Sequence, residues 1–360
     1  MTYRPTITER FDPRANALNA VRLALALLVI VWHAFPLAGE TIAWEPLRQF
    51  LGETAVDGFF AVSGFLIVGS WIRNPQWGRF LLARVLRIFP AFWVCLVVTA
   101  FVIAPIATMV VTGLTYAGTL SPDNVGYVFK NAALRIFQPR IDGTPVGVPF
   151  TDAWNGSLWT LWWEFLCYLG VLALGVFGLL RRRWLILALF LAATLALIPT
   201  AYGPVDNFLA ESAVRFGVMF LAGAVLRVYA DRIPLTWPLI AIAGGVTLGT
   251  MFLPDYRILG ALPLGYAIFG IGALITTPRL RFEQDLSYGT YIYAFPVQQL
   301  LASFRVYEWG IPAYIALSTA ITLVLAAASW FLIERNAMKL KPRRRNDQNV
   351  QTIAVADPVT

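Results

Sequence analysis

An all-α polytopic membrane protein of about ten transmembrane helices, both termini cytoplasmic, is what three observations predict. The chain of 360 residues is 58% hydrophobic, and only 13% of it is charged, against about 25% in a soluble domain. Its apolar residues fall into ten runs near the 17–25 residues that cross a bilayer. Its basic residues collect at alternate ends of those runs, the pattern that orients membrane helices with the positive side inward. The net charge of +8 is therefore read as membrane topology, and nucleic acid is not an expected partner.

The runs span 17–37, 56–72, 91–111, 158–180, 184–201, 208–229, 235–252, 258–277, 286–304 and 313–333. With the N-terminus inside, only Arg48, Lys130, Arg135, Arg140, Arg215, Arg257 and Arg305 of the 28 Lys and Arg lie outside. Residues 1–16 form a cytoplasmic N-terminal segment, 17–340 the membrane domain, and 341–360 a basic then polar cytoplasmic tail. No small-residue cleavage site follows the first run, so it is read as a retained helix rather than a signal peptide. One outer connection is long, from 112 to 157, and a loop of that length usually carries function or short helices of its own. Neither a disulfide framework nor a thiolate site follows from the two cysteines, Cys95 and Cys167. With a single histidine, no metal is expected.

That histidine, His33, lies in the first run, eleven residues after Arg22. Eleven residues make roughly three helical turns, so the two share a face and stand about 16 Å apart along the axis. Ionisable groups in a span are costly and are read as functional, and imidazole is suited to moving protons near neutral pH. A histidine bonded between helices as packing is the bland alternative.

The segment 73–90 places Arg84 and Arg87 on one helical face beside Leu82, Val85, Leu86 and Phe89. It reads equally as an interfacial helix meeting anionic lipid or as a phosphate grip. Asp57 opens the second span at its outer end, where Ser63-Gly64 permits a bend or a close backbone approach. Glu164 lies about two turns into the outer half of span four, at a depth similar to His33, and needs a partner. Arg215 stands four residues from Glu211, a pair that is merely structural near an interface. Span nine opens with a polar-aromatic stretch, Asp285 to Pro296, in which Tyr288 is placed to line a cavity. Glu334, at the inner end of span ten, can balance Arg22, Arg84 or Arg87, or simply snorkel.

Taken together, Arg22-x10-His33, the run from Asp57 to Ile67, Arg84-x-x-Arg87-Ile-x-Pro90, Asn155-x-Ser-Leu-Trp-x-Leu with Glu164, and Leu286-Ser-Tyr-Gly-x-Tyr resemble the acyltransferase-3 family of integral membrane acyltransferases. The resemblance covers residues 15–340. It implies transfer of an acyl group, usually acetyl, from cytoplasmic acyl-CoA to a hydroxyl of a saccharide or lipid-linked glycan. It points to Arg22, His33, Arg84 and Arg87 as the functional set. The expected catalytic residues are then His33, Arg22, Glu164 and Asp57, with Arg84, Arg87, Ser63 and Tyr288 holding the acyl-CoA. The expected location is the bacterial cytoplasmic membrane, with membrane lipid, a homo-oligomer or a glycan-synthesis complex as partner. Some members carry a fused esterase-like domain. This chain has no stretch long enough for one, and is expected to be self-sufficient or to rely on a partner. Ala294 stands where many members have a histidine before Phe-Pro, leaving His33 alone. A transporter or flippase of a lipid-linked saccharide, using Arg22, His33 and Glu164 as its path, is the competing reading, and a structural membrane subunit is a third.

Overall fold

The computed structural model describes residues 4–203 and 207–341. The expected tail, from residue 342 on, lies outside them. In chain order the helices are α1 Leu18–Leu37, α2 Glu45–Arg73, α3 Trp77–Thr112, α4 Pro122–Asn131, α5 Thr160–Val176, α6 Arg183–Tyr202, α7 Phe208–Val228, α8 Trp237–Thr250, α9 Arg257–Leu274, α10 Ser287–Ser303 and α11 Ile311–Lys339. Seven of them, α1, α2, α3, α6, α7, α9 and α11, are long and apolar enough to cross a membrane. The other three expected spans are present as the shorter helices α5, α8 and α10. Arginine-rich helix ends meet at one end of the bundle, where Arg73, Arg79 and Lys341 line one cavity and Arg73 and Arg227 another.

Three boundaries differ from the sequence expectation for physical reasons. Helix α2 begins at Glu45, with Pro46 in its first turn, so Asp57 lies buried well inside the helix rather than at its outer end. The basic segment around Arg84 and Arg87 is no separate interfacial helix but the first part of α3, which continues through Pro90 and a π-helical turn at Thr99–Ile103. In addition, α5 begins only at Thr160, because residues 151–159 enter the bundle as irregular chain. Irregular backbone at such depth survives only where protein satisfies its polar groups. Here Gln299 Nε2 donates to the carbonyls of Phe150 and Ala153 at 3.0 and 2.8 Å, and the Trp154 amide donates to the Pro139 carbonyl at 2.9 Å. The buried indole of Trp154 donates to Thr144 at 3.0 Å.

The helix receiving this segment, α10, is buried on every side, all of its residues but Leu300 being inaccessible. A helix apolar and buried all round is the central post of a bundle. Pro296 lacks an amide hydrogen, which leaves the Ile292 carbonyl without its helical donor. Asn155 Nδ2 supplies one at 2.8 Å and the Cys95 thiol another at 3.2 Å. Elsewhere α2 and α7 cross in backbone contact. A β-carbon on Gly64 would lie 2.0 Å from the Phe220 carbonyl oxygen, and one on Gly223 would lie 1.8 Å from that of Ala61. Gly223→Ala should therefore lower stability by at least about 1–3 kcal/mol, the usual cost of overpacking. A thermal melt in detergent that is unchanged would show the helices able to part freely.

The N-terminal segment is fastened to the basic end of the bundle. The Ile7 amide donates to the Ile233 carbonyl at 2.9 Å, and the Leu235 amide donates to that of Pro5 at 2.9 Å. Ile7 is fully buried, and Phe11 packs edge-on against Phe65.

Candidate active site

At the basic end, three helices converge on a charge cluster. Asp285 accepts from Arg22 and, at 2.5 Å, from Arg87; the second fork of Arg87 donates to Glu334 at 2.8 Å. Ser287 and Ser329 hydroxyls donate to the remaining oxygens of Asp285 and Glu334. Glu334 is 1% exposed and sits in a π-helical turn, Trp330–Glu334, which rotates it out of the lipid-facing register and onto Arg87. Of the roles open to it from sequence, balancing Arg87 is the one the fold adopts. The arginine is also held between the rings of Tyr288 and Trp330. It is thus neutralised twice over and enclosed.

Arg84, one turn before it, is in a different state. It donates to Ser70 Oγ at 3.0 Å, its guanidinium lies 5.3 Å from the Phe80 ring centroid and 5.9 Å from that of Tyr168, and its Nε is buried without a partner. Among the described residues no carboxylate comes within 4 Å of it, nor of Arg73, Arg79 or Lys341. The last three line a 210 Å³ cavity at the basic end, together with Ser70, Asn74, Phe80 and Ala83.

Glu164 faces inward, as its cost in lipid demands. It accepts from the Tyr168 hydroxyl and from Ser63 Oγ at 3.1 Å. Its neighbours are not those expected from depth along the sequence. It lines a small cavity of about 30 Å³ with Arg22, Phe59, Ser287, Tyr288 and Tyr291, because the irregular stretch before Thr160 carries α5 deep before it begins. Tyr288 anchors the floor, its hydroxyl donating to the Ile88 carbonyl at 2.8 Å.

His33 lines a second, larger cavity of about 240 Å³ toward the opposite end, with Trp32, Arg48, Glu53, Ser157, Trp159 and Arg215. Its ring packs edge-on against Phe295 at 5.1 Å. Nδ1 is buried near the Val29 carbonyl but outside hydrogen-bond geometry, and among the described residues no group bonds to Nε2. The two cavities share Val56, Thr160 and Tyr291 as a common wall. In that wall the Thr160 and Tyr291 hydroxyls bond to each other, and both reach the Ser157 carbonyl, at 3.1 and 3.0 Å.

Asp57 lines neither cavity. It is fully buried and accepts from Arg257 Nε at 2.7 Å, from the Tyr256 hydroxyl at 2.5 Å and from Arg215 Nε at 3.4 Å. Arg215 pairs with this aspartate rather than with Glu211, and through it Asp57 fixes one wall residue of the His33 cavity. Arg257 also binds Glu53 and Asp255.

The structure thus brings Arg22, Glu164, Ser63 and Tyr288 together, ties Arg87 to Arg22 through Asp285, and sets His33, Arg84 and Asp57 around them. Sequence reasoning missed Asp285 as the hub and Arg257 as the partner of Asp57, and quoted Ser157 only as part of a motif. Pro296 carried a usable signal: it frees a carbonyl four residues back, which then needs a donor from elsewhere, here Asn155. Among the described residues no group of three or more His, Cys, Asp or Glu is placed to hold a metal ion.

Comparison with known proteins agrees with this architecture over nearly its whole length. A family model described as an acyltransferase domain matches residues 15–331. The chain is 28% identical over 337 residues to an "O-acetyl transferase" of Shigella phage Sf6, an alignment covering 89% of this chain and 96% of the relative. It is 31% identical over 371 residues to "Nodulation protein 10" of Rhizobium leguminosarum bv. viciae, covering 92% and 96%. No solved structure matches it. With its helices laid out as a multi-pass membrane bundle and the family match spanning all but the ends, the chain belongs to the acyltransferase-3 family of integral membrane acyltransferases.

Proposed function

We propose that this membrane O-acyltransferase moves an acetyl group from cytoplasmic acetyl-CoA to a hydroxyl of a saccharide or lipid-linked glycan on the far side of the bacterial cytoplasmic membrane. One observation carries the reading. His33 lines one cavity and Arg22 and Glu164 line a second, the two meeting at one wall, and among the described residues the cations of a third cavity at the basic end have no carboxylate partner. The name of the phage relative, an O-acetyl transferase, supports acetyl as the group.

In this reading the CoA phosphates meet Arg73, Arg79, Lys341 and Arg84, none of which has a carboxylate within ion-pair distance among the described residues; cations in that state are what a phosphate needs. Arg87 does not grip phosphate but holds Asp285 and Glu334 in place, and Asp285 in turn aims Arg22. The pantetheine arm runs past Arg22, Glu164 and Tyr288, with Ser63 orienting Glu164, and brings the thioester to the shared wall. The acceptor enters the His33 cavity, where Trp32 and Trp159 offer flat faces and Asp57 holds Arg215 at the rim. Neutral His33 takes the proton of the attacking hydroxyl, a general-base step worth about 10²–10⁴-fold.

Sealed membrane vesicles of both orientations, given [¹⁴C]acetyl-CoA, test this. Label should enter base-labile esters of the saccharide fraction only where the basic face is outside. Transfer from the opposite face would invert the orientation argument, and saccharide movement without any acetyl transfer would favour the carrier.

A further inference from the structure

The motif Asn155-x-Ser157 has so far only a scaffolding part, yet its serine is the least explained polar group in the bundle. Ser157 is 2% exposed, lines the His33 cavity, and its Oγ has no hydrogen-bond partner. A buried hydroxyl left unpaired is uncommon and calls for a reason.

Every other polar atom of this residue is committed. The Ser157 amide donates to Asn155 Oδ1 at 3.2 Å, and Asn155 is itself anchored on the carbonyl freed by Pro296. The Ser157 carbonyl accepts from Thr160 and Tyr291. Those two hydroxyls also bond each other, so their two protons are consumed within a triangle of three contacts. Ser157 thus faces the His33 cavity beside the shared wall of Thr160 and Tyr291, and of the three hydroxyls only its own has a proton to give. It is held on a backbone that cannot turn away. A donor fixed in advance, with its alternatives removed, is what stabilises charge that develops during acyl transfer.

Building on the proposed acetyl-CoA reaction, we infer that Ser157 Oγ donates to the thioester carbonyl oxygen and stabilises the oxyanion formed on it. The acceptor oxygen bonds to the carbonyl carbon as its proton passes to His33 Nε2. The carbonyl electron pair moves to oxygen, where the Ser157 hydroxyl meets it. The C–S bond then breaks as the carbonyl re-forms, and the thiolate takes the proton from His33, giving ester and free CoA. Ser157 is neither acylated nor deprotonated.

A purely structural serine and an oxyanion donor differ in what alanine does. Because Oγ has no partner at rest, its removal costs the folded protein nothing and can stabilise it. Parent and Ser157→Ala proteins in vesicles are to be compared for turnover, acetyl-CoA KM and detergent melting temperature. Ser157→Ala is expected to lose about 10²–10³-fold in kcat. KM should stay within about twofold, since the contact forms in the transition state. The melting temperature should be unchanged or higher. A kcat within about threefold of the parent overturns the assignment. So does a fall in activity matched by a fall in melting temperature, which marks a packing residue. A parent that transfers no acetyl while remaining folded overturns the acetyl-CoA reading itself, whereas a working parent beside a working variant overturns only Ser157.

Discussion

Replacing His33 by alanine is expected to cut turnover by about 10²–10⁴-fold, the span usual for a lost general base. Expression and melting temperature should be nearly unaffected. The imidazole makes no well-formed hydrogen bond in the resting protein, so its removal strands no partner; the loss is one edge-on contact with Phe295. The variant should still bind acetyl-CoA, because the cations assigned to the phosphates lie at the other end of the bundle. The measurement is acetyl transfer in vesicles together with acetyl-CoA binding to purified protein. Retention of more than about a tenth of parental turnover would remove His33 from the proton path.

The second large effect concerns stability. Arg87→Ala should destabilise the fold by about 3–5 kcal/mol, the range for breaking a buried ion pair from one side. Asp285 would keep Arg22 and Ser287, but Glu334, 1% exposed, would keep only the Ser329 hydroxyl. A companion change, Glu334→Gln, should recover much of the loss by removing the stranded charge. An Arg87→Ala protein that melts like the parent yet fails to bind acetyl-CoA would instead make the arginine a phosphate ligand.

Much of this was legible in the chain. Each of the ten apolar runs falls on a helix, since burial in lipid imposes a hydropathy that local sequence must carry, but α2 and α3 begin well before the runs that mark them. The inward turn of Glu164 followed from the cost of a carboxylate in hydrocarbon. What could not be read were contacts set by tertiary geometry. Asp57 meets Arg257, 200 residues away, rather than any neighbour. The π-helical turn that swings Glu334 onto Arg87 leaves no mark in the hydropathy of the segment. Glu164 lies beside Arg22 rather than His33 because residues 151–159 descend into the bundle unwound, and an apolar run starting near Leu158 looks the same whether its first turn is coiled or not.

That unwound descent has a bearing on how the protein is made. Chain emerging from a ribosome is sorted into the membrane helix by helix, and residues 151–159 arrive long before α10 has been synthesised. Until then Asn155 has no Ile292 carbonyl to seize, and the carbonyls of Phe150, Ala153 and Ser157 await Gln299 and Tyr291. Unsatisfied backbone groups are costly in lipid, so the nascent segment is expected to stay near the aqueous face, where water serves its backbone. Only after α10 is in place does the loop have its partners and can α5 take its final height. Closure of the His33 and Glu164 cavities is thus expected late in biogenesis, and a chain cut short before α10 would have most of its helices but neither Tyr291 nor the common wall.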